Sequence, residues 1–120
     1  MKVYISGKIS GLPFDEVKVK FKKAEQYLQS MGHTCVNPAE NGLDFNAPWE
    51  KHMLHDISLL MPCDAIYLLE DWIDSRGAML EKLVAELAGK KILFQSEKKF
   101  NDFTELKVFR IQGAIQEVTG

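Results

Sequence analysis

The spacing of apolar residues along this chain changes period several times. Val3-Tyr4-Ile5 is a short β-branched and aromatic run that stops at Ser6-Gly7, the pattern of a buried strand entering a loop. Pro13 opens a helix, and Asp15 and Glu16 suit its positive end. Val17, Phe21, Ala24, Leu28 and Met31 then recur along one helical face, with Gly32 placed as its closing glycine. Lys18, Lys22, Lys23, Gln26 and Gln29 lie largely off that stripe and read as a solvated face rather than a nucleic-acid patch. His33 to Asn37 reads as a second strand ended by Pro38, residues 39–47 as a loop, and Pro48 to about Leu60 as a second helix. Cys63 to Leu69 is almost continuously apolar, as strands buried on both faces of a parallel sheet are. A polar loop from Glu70 to Arg76 leads to a third helix, Gly77 to Ala88, closed by Gly89 with Lys90 and Lys91 at its negative end. Ile92-Leu93-Phe94 is another strand, and Ile111, Ala114, Ile115 and Val118 predict a terminal helix within Phe103 to Val118.

Strands that alternate with helices predict a parallel sheet covered on both sides. The expected fold is therefore α/β, a flavodoxin-like or Rossmann-like three-layer sandwich whose mainly parallel sheet has about five strands. In such sheets ligands bind beyond the C-terminal ends of the strands. That points to the loops at residues 6–12 and 70–76.

Composition narrows the classes. At 120 residues and 13.7 kDa the chain reads as one domain, residues 1–120. Its hydrophobic share of 46% and charged share of 27% are those of an ordinary globular protein. Fifteen basic against seventeen acidic residues leave a net charge of −2, which argues against a protein that coats a nucleic-acid polymer but not against a small phosphorylated ligand. No apolar run approaches the ~20 residues needed to cross a bilayer. The opening MKVYISGKIS lacks the apolar stretch of a signal peptide, so a cytoplasmic location is expected. Cys35 and Cys63 sit in or beside apolar runs and read as buried free thiols. His52, His55 and Asp56 could share a helix face, but no HExxH or CxxC accompanies them, so neither a metal nor another cofactor is expected.

Several polar residues fall where chemistry is possible. Glu81 lies near the start of the third helix, on a side shared with Val84, Ala85 and Ala88. It reads either as a surface glutamate favoured by the helix dipole or as a positioned nucleophile or base. Asp64 opens the third strand and reads as a backbone cap or as a working acid. Asp71 and Asp74 fall in the loop at the ligand end. Ser75, ahead of Arg76-Gly77, is either a plain helix cap or part of an anion site. Ser6-Gly7-Lys8 offers similar donors, without the spacing of a P-loop or a dinucleotide fingerprint. Trp49, Trp72 and Met79 are candidates to wall a planar ligand or to pack in the core.

Taken in order, these residues resemble the nucleoside 2-deoxyribosyltransferase-like family. The likeness is carried by Val3-Tyr4-Ile5-Ser6-Gly7-Lys8-Ile9-Ser10-Gly11, by Asp56 eight before Asp64, by Cys63-Asp64-Ala65-Ile66, and by Ser75-Arg76-Gly77-Ala78-Met79-Leu80-Glu81 followed by Ala85 and Gly89. It covers roughly residues 2–94. The resemblance implies cleavage or transfer of an N-glycosidic bond, with Glu81 as nucleophile on the anomeric carbon and Tyr4 orienting it. It implies that Asp64 holds the sugar hydroxyls or the departing base's side of the site. In the related 2′-deoxynucleoside 5′-monophosphate N-hydrolases a glycine-serine loop and a serine six before the glutamate hold the 5′-phosphate. Ser6, Gly7, Lys8 and Ser75 match those positions, and Asp74, Gly77 and Met79 join the implied substrate contacts. The expected ligand is a small nucleoside or nucleotide. A homodimer or higher homo-oligomer is also implied, in which a neighbour completes the site. A non-catalytic nucleotide-binding or sensor module is the rival reading on the same fold.

Overall fold

The computed structural model describes residues 1–41 and 46–96. Strand β1 is Lys2–Ser6, helix α1 Phe14–Ser30, β2 Thr34–Val36, α2 Pro38–Asn41, α3 Trp49–Leu60, β3 Ala65–Leu68, α4 Arg76–Leu87 and β4 Lys91–Phe94. A single 3-10 turn, Trp72–Asp74, interrupts the connection between β3 and α4. All strands run parallel in the order β2-β1-β3-β4. Among the described residues the sheet has four strands rather than about five, because the expected fifth rested on typical sheet size and description ends two residues after β4. The anticipated helix within 103–118 lies outside the described residues. The stretch 39–47, expected as loop, begins with the short helix α2, which the aromatic-poor sequence Pro38-Ala39-Glu40-Asn41 does not announce by periodicity.

The central strands are buried on both faces, as their unbroken apolar runs predict. Val3 and Ile5 of β1 and Ala65, Tyr67 and Leu69 in and after β3 pack under Val17, Phe21, Ala24 and Leu28 of α1. The alternate residues Tyr4, Ile66 and Leu68 pack on the other side with Leu60, Cys63 and Ala85 from the α3 and α4 layer. The two-residue period of a strand thus feeds two cores, giving helix, sheet and helix layers. Helix ends follow the expected chemistry. Gly32 has φ of +88°, and His33 N–H donates to Leu28 O while Gly32 N–H donates to Gln29 O. Gly89, at φ of +72°, closes α4 in the same way. The next residue, Lys90, donates its ammonium to the carbonyls of Met61 and Cys63 just beyond α3.

Chain order reverses direction across the pair β1 and β3. From β1 the chain moves outward to β2, then crosses back to β3 on the other side. The crevice at the C-terminal ends of those two strands is where this class of sheet binds ligands. Here the strand ends approach closely. Leu69 N–H donates to Ser6 O at 2.8 Å, and a Cβ on Gly7 would lie 2.7 Å from Leu69 Cδ1. Only glycine lets the first loop leave the sheet at that point.

Candidate functional site

A cavity of about 450 Å³ opens at this switch point. Its floor is Glu81, carried by α4 one turn and a half into the helix, where the small residues Ala78 and Ala85 above and below it let α4 lie close to the sheet. Glu81 is only 5% exposed. Both of its oxygens are held. Tyr4 Oη donates to Oε2 at 2.7 Å and Ser6 Oγ donates to Oε1 at 2.6 Å. Tyr4 and Ser6 are two apart on β1, so one face of that strand delivers both hydroxyls. Burial pushes the Glu81 carboxyl up to about 7; the hydroxyls of Ser6 and Tyr4 pull the other way by favouring the ion, and the charge of Asp56 adds to the rise. Burial beside this carboxylate also lifts the Tyr4 phenol well above its ordinary range.

Asp56 is the second deep carboxyl group of the cavity. Helix α3 presents Trp49, Met53, Asp56 and Leu60 at helical spacing, so the acid stands on the helix's inward stripe. Burial pushes it up to about 6, against the opposing influence of His55 and His52. His52 lines the cavity as well. The sequence flagged Asp56 by its place ahead of β3 and by its sharing a helix face with His52 and His55. The signal that could have given it a role is its position among apolar residues on a buried stripe.

The mouth is built from the two loops expected at the ligand end. Gly7 and Lys8 line it from the first loop, and Asp74, Ser75 and Gly77 from the entry to α4. Ser75 is the cap of α4, its Oγ accepting from Ala78 N–H at 3.1 Å, so the cap reading holds while the residue also faces the cavity. Gly77 faces Met53, whose sulfur would stand 3.1 Å from an added Cβ. Arg76, unremarked in the sequence, lays its guanidinium over the Trp49 ring at 4.0 Å, and both line the cavity. Asp71 does not face the cavity as a free acid. It accepts from Lys8 N–H at 3.0 Å and pairs with Lys20 at 2.5 Å, while Lys20 also donates to Lys8 O.

Three expected site residues are not brought together with these. Asp64 lies at the opposite, N-terminal end of β3, exposed, where its carboxylate accepts from Lys2 N–H at 2.9 Å. Met79 is 38% exposed and lies outside the cavity wall. Trp72 packs on Phe94, with Lys82 over its ring, rather than on the cavity. Of the three candidate wall residues only Trp49 lines the space. No group of three or more His, Cys, Asp or Glu side chains with metal-ligand geometry occurs among the described residues.

Fold and site together define a parallel α/β domain of flavodoxin-like strand order, with a hydroxyl-gripped carboxylate beneath a cavity at its switch point. The chain belongs to the DUF4406 family, a domain of unknown function, whose pattern matches residues 1–94. That match ends with β4 and so contains every residue of the cavity. A comparison with curated proteins finds no match. No helix among the described residues is long and apolar enough to cross a membrane.

Proposed function

We propose that the protein cleaves or transfers the N-glycosidic bond of a 2′-deoxynucleoside or its 5′-monophosphate, with Glu81 as nucleophile. One observation carries the reading. A single carboxylate, almost wholly buried, is fixed through both oxygens by Tyr4 and Ser6 and faces a cavity of nucleotide-compatible size. The likeness to the nucleoside 2-deoxyribosyltransferase-like family supports it, since Tyr4 and Glu81 stand at the positions that the likeness makes orienting residue and nucleophile.

The chemistry follows from the groups present. One Glu81 oxygen attacks the anomeric carbon as the bond to the base breaks, through an oxocarbenium-like state that the carboxylate stabilises. The electron pair of the broken bond stays on the base nitrogen, which needs a proton. Asp56, raised by burial and lining the same cavity, donates it from the form of the pair in which Glu81 is ionised and Asp56 protonated, the minor form because Glu81 is held higher. The resulting glycosyl ester is then attacked by water, giving hydrolysis, or by a second base, giving transfer. Glu81 leaves as a carboxylate onto the hydroxyls of Tyr4 and Ser6, and Asp56 regains its proton from the attacking group. Lys8, Ser75 and Arg76 at the mouth supply donors and positive charge, which favours a monophosphate over the bare nucleoside. A cytoplasmic homodimer or larger homo-oligomer, in which a neighbour completes the mouth, belongs to the same reading.

The deciding experiment incubates the protein with each 2′-deoxynucleoside and each 5′-monophosphate and follows free base by chromatography. Release that disappears in Glu81→Gln supports the reading, and added second base separates hydrolase from transferase. Binding without release in any reaction would instead support the nucleotide-binding or sensor module. A scattering mass near twice 13.7 kDa tests the dimer.

A further inference from the structure

Ser6 was expected in a phosphate loop, yet its hydroxyl is turned into the protein. The residue is 1% exposed, and its Oγ donates to Glu81 Oε1 at 2.6 Å. With Tyr4 on the other oxygen, Glu81 accepts two hydroxyl protons and donates none, the pattern of an ionised carboxylate. Once protonated, Glu81 donates either into the cavity it lines or to one of those same oxygens, and in the second case that hydroxyl turns around. Tyr4 is a poor choice. Its ring is fully buried, and its phenolic proton prefers the ring plane. The Ser6 hydroxyl is sp³, turns about a single bond and keeps two lone pairs for accepting.

We infer that Ser6 is a positioning residue for Glu81, donating to its ion and accepting from its acid, and thereby governing both its ionisation and its orientation. The catalytic part of this inference rests on the reading of Glu81 as nucleophile; the ionisation part does not. Other titratable or charged groups line the same cavity. They are Tyr4 from β1, Asp56 and His52 from α3, Lys8 from the first loop, and Asp74 and Arg76 from the entry to α4. Burial and Asp56 drive Glu81 toward the neutral acid; Ser6 and Tyr4 oppose them. Ser6 is the member of this set that changes its donor and acceptor role as Glu81 titrates.

The test is a carbon-13 titration of the glutamate carboxyl carbons in the full-length chain, with the Glu81 signal assigned by its loss in Glu81→Gln. Ser6→Ala should raise the midpoint by about one pH unit, a tenfold gain in proton affinity. Ser6→Cys, whose thiol is a weaker donor, should raise it by less. An unchanged midpoint in Ser6→Ala overturns the inference. If Ser6→Ala fails to fold, an unchanged midpoint in the near-isosteric Ser6→Cys overturns it equally. The alkaline limb of the kcat/KM profile for base release, set by the higher value of the Glu81 and Asp56 pair, should move with the titration. Midpoints that move while no variant releases base leave the Ser6 inference standing and sink the glycosidase reading. Base release whose alkaline limb stays fixed in both Ser6 variants, with the Glu81 midpoint fixed too, does the reverse.

Discussion

Asp64 and Glu81 are two carboxylates at opposite ends of one sheet, and they show how little a residue type says by itself. Asp64 sits in solvent at the N-terminal edge and accepts one backbone N–H, from Lys2. It ties the start of β3 to the start of β1, where Asp64 N–H also donates to Lys2 O. Glu81 sits at the other end, out of water, with a hydroxyl on each oxygen and a cavity above it. Water screens the first. The second is held near its point of ionisation because burial opposes the charge and two hydroxyls favour it. The same functional group is an exposed staple at one edge and a buried, hydroxyl-held acid beneath a cavity at the other.

The largest test of that contrast is to neutralise each acid in turn. Glu81→Gln keeps the shape and should lower base release by at least about a thousandfold, whereas Asp64→Asn should leave kcat/KM within about twofold. Comparable losses in both would erase the distinction. Asp56→Asn removes the proposed proton donor and should cost about a hundredfold or more, with the smallest loss on substrates whose leaving base needs no proton. The pH dependence of activity should be bell-shaped and centred between about 6 and about 7, the levels to which Asp56 and Glu81 are pushed, and it belongs to the pair rather than to either group.

Stability provides a sharper measure. A carboxyl raised from 4.5 to about 7 holds its proton in the folded state after the unfolded chain has lost it. Stability therefore falls as pH rises between those values, by on the order of 3 kcal/mol for Glu81 at 1.36 kcal/mol per unit. Glu81→Gln should remove the fall between about 6 and about 7 and leave, below it, the fall that the raised Asp56 carboxyl contributes, in denaturant titrations repeated at several pH values. Asp64→Ala, which removes one exposed backbone-to-carboxylate hydrogen bond, should cost about 1 kcal/mol. The smallest expected effect is at the mouth. Arg76→Ala should weaken binding of a 5′-monophosphate about tenfold and leave the nucleoside unchanged, read by quenching of Trp49 fluorescence in a Trp72→Phe background. Equal weakening of both ligands would remove the phosphate from the Arg76 side of the cavity.

Much of the fold was legible in the sequence, because each α1, β1 and β3 residue obeys one period. Val17, Phe21, Ala24 and Leu28 are the buried face of α1, as their spacing requires, whereas Met31, read as the next residue of that stripe, is the exposed residue that ends the helix. The strand count was not, since it leaned on the size of an average sheet. At the site, Glu81 was legible from its small-residue neighbours. The position of Asp64 was legible too, but only if the topology was followed through. A residue that opens a parallel strand lies at the end of the sheet away from the ligand, and the pairing of Val3 with Ala65 puts Asp64 beside Lys2. Resemblance drew it toward the site, and geometry returns it to the far edge. The inward turn of Ser6 was hidden for a different reason. Its neighbours Gly7 and Lys8 make it look like a loop residue, and only the path of β1 shows that it still belongs to the strand, on the same face as Tyr4.

The contact among Lys20, Asp71 and Lys8 has a consequence for binding. Lys20 projects from α1, which is anchored by a full row of buried side chains, and its ammonium meets both the backbone of the first loop and the acid of the second. The two loops at the mouth are therefore lashed to a helix and to each other before any ligand arrives. Their ordering is completed during folding, so an incoming molecule has less disorder to remove. Association should be correspondingly fast and should slow in proportion to solvent viscosity, as diffusion-limited capture does, with high salt loosening the lashing and slowing productive capture.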